Sequence, residues 1–242
     1  MEAPPVRNLD ITFFIPCRNE ERFICATFDC ILQVMSTLPQ SYEMIVVDDG
    51  SSDHAVERIQ GYIRLHPTLP IKLIANPRTL GLGHNYLKTA DLARGRYYLC
   101  VNGDNDLTPQ SLKEFVTYTT SEYDMVIPYL YHMSRRPLFR QLVSLSFTFF
   151  MRMISGYQIT YFNGPVLHKT DNIIRWRSNT TGFAYSAELI IRGLQDKARH
   201  KEIGIHTVYH TESSSAFRLR NFLSVTKSFL RVLTWRSQAP RP

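Results

Sequence analysis

Val101-Asn102-Gly103-Asp104-Asn105-Asp106 is the stretch on which the reading of this chain turns. A β-rich, aromatic run from Tyr97 to Val101 breaks at Gly103, and two carboxylates follow two residues apart. In an open α/β sheet, ligands bind outside the carboxyl ends of the strands, so a strand ending in Asp-x-Asp presents acid groups where a ligand sits. Asp104 and Asp106 suit one hard cation. Oxygen ligation selects Mg²⁺ or Mn²⁺, and Mg²⁺ takes only one or two protein carboxylates, completing its shell with water and substrate phosphates. The stretch therefore predicts a diphosphate site, against the alternative of a solvated Asp/Asn turn after a strand.

Working outward, strand and helix signals alternate. Ile11 to Ile15 is a short apolar run closed by Pro16, and Asn19-Glu20-Glu21 opens a segment with Ile24, Phe28, Ile31 and Met35 at helical spacing. Met44 to Val47 reads as a buried strand ending at Asp48-Asp49-Gly50-Ser51-Ser52-Asp53, followed by a helix from about Ala55 to Leu65. Ile71 to Ala75 is a third strand, Gly81-Leu82-Gly83 introduces a helix to about Ala93, Pro109 starts another, and Met125 to Ile127 is a fifth strand. This alternation predicts an α/β fold, a mainly parallel sheet with helices on both faces. The acid-bearing turns at Asn19-Glu20, Asp48 to Asp53 and Asp104 to Asp106 would then share one sheet edge. There the first two could read a nucleotide while its diphosphate meets the metal at the third.

After residue 130 the pattern changes. Leu138 to Ile154 is apolar almost all round, yet Arg140, Ser144, Thr148 and Arg152 recur every four residues as one polar stripe. A helix of this length is only about 25 Å long and carries two arginines, so it is expected to lie in or on a surface rather than to span a bilayer. The alternative is an ordinary core helix. Phe183 to Ala198 reads as a further helix, Ile203 to Tyr209 as a strand, and Leu219 to Thr234 as an amphipathic helix. The expected organisation is 1–130 for nucleotide-sugar binding, 131–235 for the acceptor side with amphipathic, membrane-contacting helices, and 236–242 as a tail.

The 242 residues are 44% apolar and 20% charged, ordinary globular usage. The net charge of +7 hides a split: residues 1–134 carry 11 Lys/Arg against 16 Asp/Glu, and residues 135–242 carry 17 against 5. A basic second half points to an anionic partner, a membrane surface or nucleic acid. RNA-recognition and helix-turn-helix signatures are absent, which ranks nucleic acid lower. Four cysteines without CxxC or His/Cys spacing read as reduced thiols, and with no leader or long apolar run the chain is expected in the cytosol. Gly81-Leu82-Gly83-His84 lacks the third glycine of a dinucleotide fingerprint, so NAD is disfavoured.

Pro16-Cys17-Arg18-Asn19-Glu20, Val46 to Asp53, Asn76 with Leu80 to Gly83, Ala93-Arg94-Gly95, and Asp104-Asn105-Asp106 resemble, in order and spacing, the family 2 glycosyltransferases of GT-A fold. Within them the chain is most similar to the polyprenyl-phosphate (dolichyl-phosphate) mannosyl- and glucosyltransferases. The resemblance implies a GDP- or UDP-sugar donor, Mg²⁺ or Mn²⁺, and inversion at the anomeric carbon. It puts Pro16, Asn19, Glu20, Asp48, Asp49, Ser51 and Gly83 around the nucleotide sugar, with Asp104 and Asp106 on the metal and diphosphate. Arg140 and Ser144 match an Arg-x-x-x-Ser pair that contacts the acceptor phosphate, and Ser215 is what is retained of a later Arg-x-x-Gly-x-Ser-Lys. A frequent third ligand, Gln, is Thr108 here. The resemblance implies a polyprenyl phosphate acceptor and an anionic membrane surface as partners, with a membrane-anchoring subunit left open. A soluble hydroxyl acceptor is the alternative. It would need a general base, for which Glu188 is the candidate; Glu188 could equally pair with Arg192 at i, i+4.

Overall fold

The computed structural model describes residues 5–131, 138–177 and 184–208, except the side chains of residues 139 and 140. β1 (Leu9–Cys17), β2 (Tyr42–Asp48), β3 (Ile71–Ala75), β4 (Gly95–Cys100), β5 (Met125–Leu130), β6 (Leu167–Lys169) and β7 (His200–Ile205) form one sheet in the order β3-β2-β1-β4-β6-β5-β7. β1 runs parallel to β2 and β4, β2 to β3, and β5 to β7. β6 is antiparallel to both its neighbours, β4 and β5. Two reversals restore the direction, so the other six strands point the same way and their C-terminal ends lie along one edge.

The sheet is covered on both faces by α1 (Ile24–Met35), α2 (Ala55–Leu65), α3 (Leu82–Ala90), α4 (Pro109–Thr117), α5 (Leu138–Ser155), α6 (Thr170–Trp176) and α7 (Tyr185–Gln195). Side chains alternate along each strand and sort into two cores. Phe13 and Ile15 of β1 join Phe28 and Ile31 of α1 and Leu112 and Phe115 of α4. Phe14, between them, faces the other way, into a cluster with Tyr86, Tyr98, Met151, Trp176, Tyr185 and Ile190. Both strand faces are thus apolar, as a buried parallel sheet requires. α4 starts where Pro109 allows it, with the Thr108 hydroxyl accepting from the Ser111 amide.

The sheet follows the expected pattern up to β5, and strands from both sides of residue 130 join it. Leu167–Lys169 and Thr170–Trp176, to which the sequence reading assigns nothing, are β6 and α6. α1 begins at Ile24 rather than near Asn19, because Asn19 takes a left-handed conformation (φ 60°) that a right-handed helix does not include, and a turn at Glu21 to Phe23 comes before the helix. β7 ends at Ile205, and the two residues after His206 leave the strand to run beside the Asp106 loop, Thr207 bridging Leu107. The expected 219–234 helix, the tail and Ser215 lie outside the described residues.

α5 matches its expected span, with its polarity turned inside out. Phe147, Met151 and Thr148 are buried, and Arg152 Nε donates to the Ile159 carbonyl (2.7 Å). Outward lie Leu142 (63% exposed), Phe149 (58%) and Met153 (59%), together with Leu138, Val143, Leu145 and Phe150. Ser144, Thr148 and Arg152 of the polar stripe face the protein, and an apolar wall faces away from it.

Candidate active site

The turns after β1 and β2 are stitched together. Asn19 donates its amide to Ser51 Oγ (2.9 Å) and its Oδ1 accepts from the Ser52 amide (2.8 Å). Glu21 donates its amide to Asp53 Oδ2 (3.0 Å), and Glu21 Oε2 accepts from the His54 amide (3.0 Å). Asp48, buried at the end of β2, accepts from the Gly50 and Ser51 amides and from the Ser51 hydroxyl. Asp49 reaches the next loop: Oδ1 accepts from the Leu80 amide (2.8 Å) and Asn76 Nδ2 (3.2 Å), and Oδ2 from the Gly81 amide (3.0 Å). Burial alone would raise the Asp49 pKa, but hydrogen bonds from Leu80, Asn85, Gly81 and Asn76 outweigh it and hold the carboxyl below its usual range. The carboxylate thereby fixes the loop whose pivot is Gly81 (φ 100°), while Gly83 is buried in the first turn of α3.

The Asp-x-Asp loop is fastened from three sides. Gly103 donates to the Pro16 carbonyl (3.1 Å), and its own carbonyl accepts from Thr27 Oγ1 (3.1 Å). Asn105 turns left-handed (φ 53°), a conformation Asn tolerates better than most residues, and so sets Asp104 and Asp106 on a tight bend. Asn102 Nδ2 lies 3.4 Å from each carboxylate oxygen of Asp106, and the Val208 amide donates to the Asp106 carbonyl (2.7 Å).

Electrostatics brings the three turns to one place. Glu20 has its pKa pushed up to about 7, first by burial and then by the charges of Asp104, Asp53 and Asp106. Carboxylates from the other two turns thus reach Glu20 at the carboxyl edge of the sheet. Among the described residues no three His, Cys, Asp or Glu side chains close a complete cation cage. The donor set nonetheless fits a hard divalent ion that brings its other ligands with it: two carboxylates on one bend, oxygen only, beside a buried glutamate whose pKa their charges help to raise. Asp104 and Asp106 are the residues that would hold it.

The acceptor-side residues divide. Tyr185, at the start of α7, hydrogen-bonds Cys100 at the end of β4, which sets the first turn of α7 against the Asp-x-Asp strand. Glu188 is in that turn and 1% exposed. Ser144 is on the inner side of α5; the Arg140 side chain is outside the described residues. Sequence reasoning quoted Asn102 and Asp53 within its motifs without giving either a role of its own, and missed Asn85, two residues beyond the Leu80 to Gly83 motif. It also missed Val208, for which no local signal exists, because its role comes from the path of the chain after β7.

Comparison with known proteins agrees with this layout. Residues 12–181 match the glycosyl transferase family 2. The dodecaprenyl-phosphate galacturonate synthase of Rhizobium johnstonii is 23% identical over 156 residues, covering 64% of this chain and 46% of that protein. The chain spans about half the length of the curated relatives it matches. Among solved structures, a mannosyltransferase from Pyrobaculum calidifontis in complex with GDP-Man and Mn²⁺ superposes with a TM-score of 0.66 at 16% identity, covering 94% of this chain and 66% of that one. Glucosyl-3-phosphoglycerate synthase from Mycobacterium tuberculosis in complex with UDP gives a TM-score of 0.65 at 16% identity, covering 97% and 82%. With the expected GT-A architecture in place and well over half its length matched, the chain belongs to glycosyl transferase family 2.

Proposed function

We propose that this chain is an inverting, divalent-metal-dependent glycosyltransferase that moves a sugar from a nucleotide diphosphate, GDP-mannose or a UDP-sugar, to a polyprenyl phosphate at a membrane surface. The observation that carries the donor half is the convergence of Glu20, Asp53, Asp104 and Asp106 at the carboxyl edge of the sheet. In this reading Pro16, Asn19, Glu20, Asp48, Asp49, Ser51 and Gly83 form the nucleotide-sugar pocket. Asp48 and Asp49 act largely by holding its loops, since their oxygens are engaged by backbone amides. Asp104 and Asp106 hold Mg²⁺ or Mn²⁺, which when bound offsets charge on the departing diphosphate. Asn102 orients the Asp106 carboxylate, and the rigid bend at Asn105 fixes where the diphosphate sits, so that the acceptor is brought in line.

The acceptor half rests on the relatives and on α5. A polyprenyl phosphate is named for the Rhizobium relative. A phosphate monoester has a second pKa of about 6 and is largely dianionic at neutral pH, so it attacks without a general base. Arg140, Ser144 and Ser215 are its proposed contacts. No described helix is long and apolar enough to cross a membrane. The outward apolar wall of α5 supports lateral contact with a bilayer instead, and the basic second half supports an anionic one.

A second reading keeps the donor chemistry and transfers to a hydroxyl of a soluble acceptor. It is favoured by the position of Glu188 in the first turn of α7, beside β4, where a carboxylate is at hand for a hydroxyl acceptor. Radiolabel transfer from GDP- and UDP-sugars into organic-extractable product, with Mn²⁺ or EDTA and a short polyprenyl phosphate, separates the two. Metal-dependent label in the organic phase supports the first reading, and donor turnover with label only in water-soluble product supports the second. Donor turnover that persists in EDTA, or in Asp104→Ala and Asp106→Ala, refutes the metal-dependent chemistry common to both.

A further inference from the structure

Tyr131 follows β5 directly and is 55% exposed, yet its ring is held in place by its neighbours. Its amide donates to the Ile205 carbonyl (3.1 Å), which keeps it in register with β7. Across that strand the phenol lies on Gly204, so closely that a Cβ built there would stand 2.2 Å from Tyr131 Cζ. The His206 imidazole stacks with it (centroids 4.9 Å apart, 29° between planes), and the Tyr129 ring packs edge to face with it (5.6 Å, 70°). A single exposed aromatic needs no explanation. One that rests on a residue without a side chain and stacks with an imidazole is preorganised as a contact surface.

The register places this shelf beside the metal carboxylates. Ile203 and Ile205 point into the core with α1 and α4, so Gly204 and His206 face the opposite way. After β7 the chain pairs with the Asp-x-Asp loop: Thr207 bridges Leu107, and the Val208 amide donates to the Asp106 carbonyl (2.7 Å). Leu107 joins the same core as Ile205, so Asp106, Val208 and His206 share the other face of this short ribbon. Two residues advance about 7 Å along a strand, which sets the stacked rings about that far from the point where Val208 meets Asp106. A sugar attached to a diphosphate on a cation at Asp104 and Asp106 extends over the same range.

We infer that Tyr131, seated on Gly204 and stacked with His206, is a specificity-determining residue that packs its ring against the hexose of the nucleotide-sugar donor. The inference deepens the donor half of the proposed function and rests on it. A phenol ring has a negative face, which suits the weakly positive C–H groups of a hexose, and it offers no positive charge to a phosphate. Hexoses differ in which C–H groups they present to a flat surface. Contact with a fixed ring therefore discriminates among them by shape, with the modest selectivity that packing gives.

The test is calorimetric titration of the full chain in Mn²⁺ with GDP-mannose, UDP-glucose and the sugar-free GDP and UDP, for wild type, Tyr131→Ala and Tyr131→Phe. Comparing a sugar nucleotide with its bare diphosphate isolates the hexose, a difference that a merely structural role would not move. In Tyr131→Ala the preferred sugar nucleotide is expected to bind about three- to tenfold more weakly while its diphosphate binds as before. Tyr131→Phe, which keeps the ring, should stay near wild type. Equal weakening of both ligands in Tyr131→Ala, or weakening of neither, overturns the inference and leaves the donor reading intact. A loss confined to farnesyl phosphate, titrated in parallel, also overturns it and moves the ring to the acceptor. Wild type that binds none of the four nucleotides overturns both.

Discussion

Gly103 lies against Pro16 so closely that a Cβ built on it would stand 2.8 Å from the Pro16 carbonyl oxygen, with Ile24 Cδ1 at 3.3 Å. The same two residues share the backbone hydrogen bond that anchors the Asp-x-Asp loop to β1. Gly103→Ala is expected to cost about 1–3 kcal/mol of stability by overpacking. It should weaken Mn²⁺ binding as the loop moves off β1, and calorimetric metal titration of the folded variant reads the second effect directly.

Asn102 Nδ2, 3.4 Å from both carboxylate oxygens, steadies Asp106. Removing such an outer partner typically lowers metal affinity about 10–100-fold. Asn102→Ala should therefore weaken Mn²⁺ by about tenfold or more with little change in thermal midpoint. Unchanged Mn²⁺ affinity would show that Asp106 needs no such support.

Glu20 titrates in the fold near 7, against an ordinary 4.5. A carboxyl whose folded pKa is raised contributes stability that is fully present below its unfolded pKa and is lost as pH rises through the folded one. In EDTA, wild type should thus lose stability between about pH 4.5 and 7. Glu20→Gln should be the more stable protein at pH 8, by about 1–2 kcal/mol after allowing for partial solvent screening, and no more stable at pH 4. Denaturant midpoints at the two pH values decide it.

His168 works in the opposite sense. It is fully enclosed on β6, its Nδ1 has no hydrogen-bond partner among the described residues, and burial lowers its pKa to about 3. The unfolded chain binds this proton near pH 6.5 and the folded one does not, so stability falls as pH drops through that window, by about 2 kcal/mol at pH 5. His168→Leu should flatten the stability profile between pH 6.5 and 4 in urea melts.

The wall on α5 makes a prediction free of catalysis. Leu142→Glu and Phe149→Glu change residues already in solvent, so each should shift stability by no more than about 0.5 kcal/mol. If the wall enters lipid, each removes about 1.5–3 kcal/mol of burial and should weaken sedimentation with anionic vesicles about tenfold or more. Vesicle binding that survives both changes would remove α5 as the contact.

The parallel half of the sheet was legible in the sequence because local signals there agree: apolar runs end in acid turns, and Pro109 or Gly81 punctuates them. β6 was not legible, since three residues with no alternation become a strand only by lying between β4 and β5. The stripe on α5 was visible from spacing, but spacing fixes an angle and not a direction, so it could not tell that Thr148 looks inward. In the candidate site, the carboxylates were plain from the motifs, while the clasp between Asn19 and Ser51 and the approach of Val208 to Asp106 depend on where distant loops meet.

β6 touches each neighbour through only two register pairs, Tyr97–Lys169 and Tyr98–His168 on one side and Met125–His168 and Val126–Leu167 on the other. It is reinforced by Lys169 on Asp124 (2.8 Å) and Thr170 on the Gly95 carbonyl (2.6 Å). Mechanically, the sheet is two stiff parallel plates, β3-β2-β1-β4 and β5-β7, pinned by a short crosswise peg. The donor carboxylates ride on one plate and α5 springs from the other. The peg lies toward the end of the strands opposite the carboxylates, so beyond Tyr98 and Val126 β4 and β5 run on toward the carboxylate edge without β6 between them.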